Sequence, residues 1–328
     1  MRKDIGKRRI LQITSCNQNR SLIVSRIAWG NPGKLSQEGI YAMKKKNKYI
    51  LFALPSFITM ACIMLFPVAY AFYYSFFSYR MGREKYFVGL DNYINLLQSP
   101  DFWYSMRFSA VFTVIAVSLQ FLLGLCIALL LDNIIRGKKI LSVMIYLPYF
   151  ITAAAAGVIF RWMFMSEWGI VSQLFTQFNI IPPNWFDSPF WSRFIVILAE
   201  VWQNTPFAVI VLYAGLQSIP QEQIEASRID GASSFNVFRN VKLPNLRHLI
   251  LLIFMMRTMD AWRLFDRISV MTAGGPGSAT ETLLLFNYRI SFKMLRIGEG
   301  SAIGVLTLIS LCIPIFLLMR AMRSSEVD

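Results

Sequence analysis

The sequence predicts an all-α membrane protein with six transmembrane helices and both termini in the cytoplasm. Three observations lead there. Of 328 residues, 55% are hydrophobic and only 16% charged, against about 25% charged in soluble domains, and the mean hydropathy is +0.49. Six apolar segments are long enough to span a bilayer, which takes ~20 residues of helix. The basic residues gather in alternate connections, as the positive-inside rule requires.

The six segments fall near Tyr49–Phe77, Tyr104–Leu131, Ile140–Met165, Arg193–Gln217, Leu249–Met271 and Ser301–Met322. Pro55, Pro67, Pro148, Pro206 and Pro314 lie inside them. Membrane helices accept such prolines because neighbouring groups re-satisfy the freed carbonyls. Lys44, Lys45, Lys46 and Lys48 precede the first segment, and Arg136, Lys138 and Lys139 follow the second. Arg228, Arg239, Lys242 and Arg247 follow the fourth, and Arg320 and Arg323 close the sixth. The other connections mix signs, Arg80, Arg83, Glu84, Lys85 and Asp91 in one and Glu167 and Asp187 in another. The last, with Glu281, Arg289, Lys293 and Arg296, is the one basic exception. Trp103, Trp168, Trp185 and Trp191 on the external side match an interfacial aromatic belt.

The organisation is then a basic tail over residues 1–48, a membrane domain over 49–322 with a cytoplasmic loop at 219–247, and a short tail at 323–328. Residues 1–42 hold no apolar run long enough for a span or a signal-peptide core. Met43 opens "MKKKNKYILFALPSF", a natural start for a membrane protein. Two readings stand: residues 1–42 are an over-long start, or they form a basic tail.

The net charge of +15 raises nucleic acid as a partner, but no RNA-binding aromatic motif or finger spacing supports it. Cys16, Cys62, Cys126 and Cys312 form no CxxC pair and are expected as small buried hydrophobes. With His248 as the only histidine, no zinc centre is expected.

The strongest local signal is polar. Glu225-Ala226-Ser227 is followed after three residues by Gly231 and after nine more by Val241-Lys242-Leu243-Pro244. From Gln221 to Val241 two short helices are expected, with Gly231 allowing a bend. Ala226, Ile229, Ala232, Phe235 and Phe238 recur at threefold spacing and fit one side of that element. Pro244 suits the first turn of a following helix, where a missing N–H costs nothing. On spacing alone an ordinary solvated loop is the better reading.

The stretch resembles the EAA motif (EAA, three residues, G, nine residues, IxLP) of membrane subunits of binding-protein-dependent ABC importers. Ser227 and Val241 replace the usual Ala and Ile with residues of similar size and branching, and His248 stands where many members have a proline shortly after the LP pair, which leaves the entry into the fifth segment less sharply defined. The likeness extends over almost the whole chain from Lys48: "FVGLDNYINLL" at 87–97, "FDSPFWSR" at 186–193, "GLQSIPQEQIEASRIDGAS" at 215–233 and "RTMDAWRLFDRISVMTAGGPGSATETLLLFNY" at 257–288 are similar to segments of the carbohydrate-uptake, maltose-type branch. The resemblance implies the type I importer permease fold in a bacterial cytoplasmic (inner) membrane. It implies a second permease subunit, two ATPase subunits that use ATP and Mg, an extracytoplasmic solute-binding protein, membrane lipid and a sugar or polyol substrate. It also implies that Glu225, Ala226, Ser227, Asp230, Gly231, Ala232, Phe235, Phe238, Val241, Leu243 and Pro244 dock the ATPase.

The chain itself is expected to bind no cofactor and to be no enzyme. It has no Walker A motif: "GNPGK" lacks the spacing, and "TAGGPGSAT" lacks the lysine. No nucleophile, base and orienting acid cluster at recognisable spacing.

Charge inside a span is costly, ~2.5–3.5 kcal/mol per group, and normally faces a bundle interior or water. Glu200, Gln203 and Asn204 share one helical face at i, i+3 and i+4. Arg257 and Asp260 lie three apart, followed by Arg263, Asp266 and Arg267. These groups, with Trp202, Phe207 and Trp262 as stacking surfaces, are the candidates for a sugar path. The alternative for Arg257 and Asp260 is mutual neutralisation at a helix contact, and for Arg263, Asp266 and Arg267 a place at the outer end of the span. Arg161 is expected as an interfacial anchor. At the level of function the alternatives are an ion-coupled secondary solute transporter, which usually shows internal repeats that are not seen here, and a channel or scaffold without energy coupling.

Overall fold

The computed structural model describes residues 54–134 and 136–324; Cys16, the basic tail and both readings of residues 1–42 lie outside them. The chain divides into two compact units, residues 1–69 and 70–328. In the first, the described residues 54–69 are helical, and this helix, α1 (Leu54–Tyr74), runs into the second.

The rest of the second unit is helical apart from a two-stranded hairpin. In order come β1 (Phe77–Ser78), β2 (Tyr86–Phe87), α2 (Asp91–Gln98), α3 (Pro100–Asn133) and α4 (Lys138–Tyr146). A 3₁₀ turn, Leu147–Phe150, leads to α5 (Ala153–Met163), α6 (Ile170–Gln177) and α7 (Pro189–Ser218). Next are α8 (Gln221–Ile229), α9 (Ser234–Val237), a π turn at Phe238–Lys242 and α10 (Leu243–Trp262). α11 (Asp266–Met271), α12 (Leu283–Tyr288), a second π turn at Arg289–Lys293 and α13 (Ile297–Ser324) complete the chain. α3 and α7 each begin with proline at the first position, where fixed φ favours helix and no N–H is lost. Pro206 is accommodated inside α7 without ending it.

Four described helices, α1, α3, α7 and α13, are long and apolar enough to cross a membrane. The expected third span is broken: α4 and its 3₁₀ turn meet α5 at a bend of 98°. Pro148 lies in that 3₁₀ turn, where it lacks a helical donor. Extended Thr152 then restarts the chain by capping the Ala155 N–H at 3.3 Å. The expected fifth span is also divided, α10 ending at Trp262 and α11 starting only at Asp266.

The hairpin was not anticipated. Phe77 pairs with Phe87 and Ser78 with Tyr86, and Asn92 Nδ2 donates to the Ser75 and Phe77 carbonyls at 2.8 and 3.0 Å. The Gly298 N–H donates to the Tyr79 carbonyl; a Cβ at Gly298 would overlap the Phe77 carbonyl, so glycine permits the approach of α13.

Three apolar clusters hold the second unit. One joins α3, α5, α7 and α11 through Phe112, Phe160, Ile195 and Ile268. A second joins α3 and α7 to the α8–α9 loop and α10. The third joins α2, α3, α12 and α13 through Leu96, Phe102, Leu283 and Ile303. α3 and α7 touch closely at Gly124, where a Cβ would lie 2.6 Å from that of Ala208.

Two expectations are corrected. Cys62, Cys126 and Cys312 are exposed on helix surfaces, because a small apolar side chain suits an outward helix face as well as a core. Trp185 is not a belt residue: it is buried in the first cluster, and its Nε1–H donates to Ser172 Oγ at 2.9 Å. The basic exception in the last connection is neutralised locally. Glu281 accepts from Arg289 Nε at 2.7 Å and Nη2 at 3.0 Å, raising the guanidinium pKa above its ordinary value. Arg296 Nε lies 2.8 Å from Glu299.

Candidate functional site: a buried polar hub and an exposed helical loop

Glu200 is the centre of the polar residues, and its carboxylate is 2% exposed. Gln120 Nε2 of α3 donates to Glu200 Oε1 at 3.2 Å, and Asn204 Nδ2, one turn along α7, at 2.8 Å. Arg257 Nη2 of α10 reaches the same oxygen at 3.1 Å. Arg267 of α11 ion-pairs with Glu200 Oε2 and donates to Gln203 Oε1. Gln203 in turn donates to the carbonyl of Ile151, at the break before α5. Arg257 also donates to Gln120 Oε1 at 3.0 Å and to Asp260 Oδ2 at 3.1 Å. One carboxylate thus joins α3, α7, α10 and α11. Two buried guanidiniums share the buried Glu200 carboxylate, and the second negative charge facing Arg257 is Asp260 at the exposed edge of the hub.

The hub forms one wall of a cavity of about 640 Å³. Glu200, Gln203, Asn204, Arg257, Asp260, Arg263, Asp266 and Arg267 line it together with Tyr149. Asp260 and Arg263 form its wet rim, 53% and 58% exposed, with a 3.5 Å contact between them. Arg257 and Asp260 pair with each other, and both line the cavity. Arg267 is in the interior, not at an outer end, and among the described residues its buried Nε has no partner. The aromatic expectations fail in detail. Trp202 contacts Phe160 at 5.5 Å, Trp262 is buried, and neither lines the cavity. On α7 and α10 they face other directions than the polar residues. Phe207 instead lies under the Arg257 guanidinium at 5.9 Å. Arg161 Nη1 donates to the Val270 carbonyl at 2.9 Å, tying α5 to α11.

Gln120 and Tyr149 were not anticipated. Gln120 had a legible signal, a lone amide in the apolar run "VSLQFLLG", since an unpaired amide in apolar surroundings is costly. Tyr149 had none, because its position depends on the bend after Pro148.

The second feature is the loop between α7 and α10. Two short helices form where expected, and Gly231 turns between them at φ +81°, a backbone conformation that only glycine adopts freely. Ser233 caps α9 by accepting from the Asn236 N–H at 3.3 Å. Ile224 and Val237 are buried in the second apolar cluster, with Ala128 and Leu131 of α3 and Leu246 of α10. The loop is therefore packed on the bundle, unlike an ordinary solvated connection. The outer side carries Ile229 at 86% and Phe235 at 66% exposure. Glu225, Ala226, Asp230, Gly231 and Pro244 are also exposed, while Ser227, Ala232, Phe238, Val241 and Leu243 are half-buried. The threefold face is thus outward at Ala226, Ile229 and Phe235 and turns inward at Ala232 and Phe238.

Residues 120–325 match the family described as "Binding-protein-dependent transport system inner membrane component". The chain belongs to this family. It is 36% identical over 262 residues to the trehalose/maltose transport system permease protein MalF of Thermococcus litoralis, covering 79% of this chain and 88% of that one. It is 31% identical over 280 residues to the sulfoquinovosyl glycerol transport system permease protein SmoG of Agrobacterium fabrum, covering 84% and 91%. A chain of a bacterial ABC transporter involved in the import of the acidic polysaccharide alginate superposes with a TM-score of 0.76 at 18% identity, over 87% of this chain and 98% of that chain. The permease fold is thereby established, although the described helices number four clear spans, or five with the bent pair, where six were expected.

Proposed function

We propose that this permease is one of two membrane subunits of an ATP-driven importer for a sugar or related polyol. The described spans, the broken third segment and the divided fifth would make six crossings, with both termini in the cytoplasm. ATP is hydrolysed on two partner ATPase subunits, and an external solute-binding protein delivers the substrate. The names of MalF and SmoG support a sugar substrate. A solved relative of the same fold, in complex with an alginate pentasaccharide-bound periplasmic protein, supports the delivery partner. Binding-protein dependence leaves the ion-coupled alternative without an observation in its favour.

One observation carries the mechanism: the helices that frame the exposed loop also build the buried hub. From Ser218 back to Glu200 along α7 is ~27 Å, and from Leu243 to Arg257 along α10 is ~21 Å, at 1.5 Å per residue. In this reading Ile229 and Phe235 seat in a groove of an ATPase subunit, apolar anchors of the usual helix-in-groove kind. Closure of the ATPases moves the loop, and α7 and α10 tilt as levers. The hub then shifts among its partners and opens the cavity to one side or the other. Asp260, Arg263 and Asn204, not fully consumed by the hub, hydrogen-bond sugar hydroxyls in the cavity.

The test uses the complete transporter in proteoliposomes with trehalose and maltose as probes. Gly231→Trp, strained at φ +81°, and Glu225→Lys on the exposed face should abolish ATP-driven uptake while the subunits still co-purify. Full uptake by both variants, or accumulation of sugar by vesicles holding this chain alone, overturns the reading.

A further inference from the structure

We infer that Asp132 and Lys242 form a latch that makes α3 a third lever between the loop and the hub; this rests on the loop-coupling reading above. Asp132 is the penultimate residue of α3. Its Oδ2 accepts from Lys242 Nζ, in the π turn that ends the loop, at 2.7 Å. Its Oδ1 accepts from Gln217 Nε2 at the end of α7, at 2.8 Å. One carboxylate therefore binds the ends of α3, α7 and the loop together. Both charged side chains are largely shielded, at 14% and 17% exposure, so salt screens the pair less than a surface one.

The latch sits beside the apolar cluster into which Ile224 and Val237 insert. Apolar contacts in that cluster have no directional preference. The ion pair supplies direction. Gln120 lies twelve residues up the same helix from Asp132, ~18 Å at the helical rise, and donates to Glu200. Motion of Lys242 is thus passed through Asp132 along α3 to the hub. Without the latch the loop still moves α7 and α10, to which it is covalently joined, and α3, packed on α7 through the apolar cluster, loses the directed pull. Asp132 and Lys242 are positioning residues, acting on the cavity only through α3.

The experiment measures motion of α3 in the complete reconstituted transporter. Spin labels are placed at outward-facing Val114 of α3 and Ile309 of α13, 66% and 53% exposed, with the four native cysteines replaced by Ser. The distance is read with and without ATP and Mg. Asp132→Asn and Lys242→Met should each abolish the ATP-dependent change while the ATPases stay bound. The exchange Asp132→Lys with Lys242→Asp should restore it. An unchanged ATP response in both single variants overturns the latch and leaves the loop reading standing. No ATP response in the unsubstituted transporter overturns the latch, and the loop reading is then decided separately by the uptake of Gly231→Trp and Glu225→Lys. If the single variants fail to assemble, the exchange decides: an assembled complex with the ATP response supports the latch, and one without it overturns it.

Discussion

Replacing Glu200 with Gln tests the hub most directly, because the shape is kept and only the charge is removed. The wild-type carboxylate is 2% exposed and accepts from two buried guanidiniums. In Glu200→Gln, Arg257 retains Asp260 at 3.1 Å, but Arg267 keeps only the neutral Gln203. Removing one member of a buried ion pair costs about 3–5 kcal/mol, since the remaining charge stays desolvated and uncompensated. Two charge-assisted hydrogen bonds at ~1.5–3 kcal/mol each give an overlapping ~3–6 kcal/mol. For a chain of this size about 2–4 °C is lost per kcal/mol, so Tm should fall by roughly 6–20 °C. Intrinsic tryptophan fluorescence during thermal unfolding of the purified chain in detergent reads this. Adding Arg267→Met to Glu200→Gln removes the stranded charge. The double variant should then recover ~0.5–3 kcal/mol relative to the sum of the singles, the coupling expected of contacting residues. If Glu200→Gln melts with the wild type, or the double variant is simply additive, the hub is not an electrostatic unit.

Phe235→Ala and Ile229→Ala should leave the stability of the isolated chain within about 0.5 kcal/mol of wild type, as for exposed positions generally. Titration with the ATPase subunit should nonetheless show binding weakened by ~2 kcal/mol at the stronger anchor, a typical hot-spot loss. Gly124→Leu drives a side chain into Ala208 of α7. It should cost ~1–3 kcal/mol by overpacking, seen as a lower Tm, and Ala208→Gly should relieve part of the loss. Ser172→Ala leaves the buried Trp185 N–H without its 2.9 Å partner. A loss of ~1–3 kcal/mol is expected, with a shift in tryptophan emission as the check.

The parts of this protein that depend on local pattern were legible in the chain. Long apolar runs placed α1, α3, α7 and α13 because burying apolar side chains needs only enough of them in a row. Gly231 placed the turn between α8 and α9 because a positive φ is a demand on one residue. Glu200, Gln203 and Asn204 were placed on one face by helical geometry alone. The tryptophans failed the same kind of reasoning. Periodicity says which residues share a face, not what that face meets, so it puts Trp185 in a belt and Trp202 and Trp262 at the cavity, whereas Trp185 is buried and neither of the other two lines the cavity.

Local pattern in the chain sets the long helices α1, α3, α7 and α13, the spacing of the loop and the cost of every charge within an apolar run. How those costs are met depends on the packed bundle. Gln120, Glu200, Arg257 and Arg267 come from four separate helices, and Asp132 finds Lys242 across more than a hundred residues of chain. Helical propensity and hydropathy act within a few turns. Charge compensation acts through space, between groups that become neighbours only when the bundle closes and water leaves.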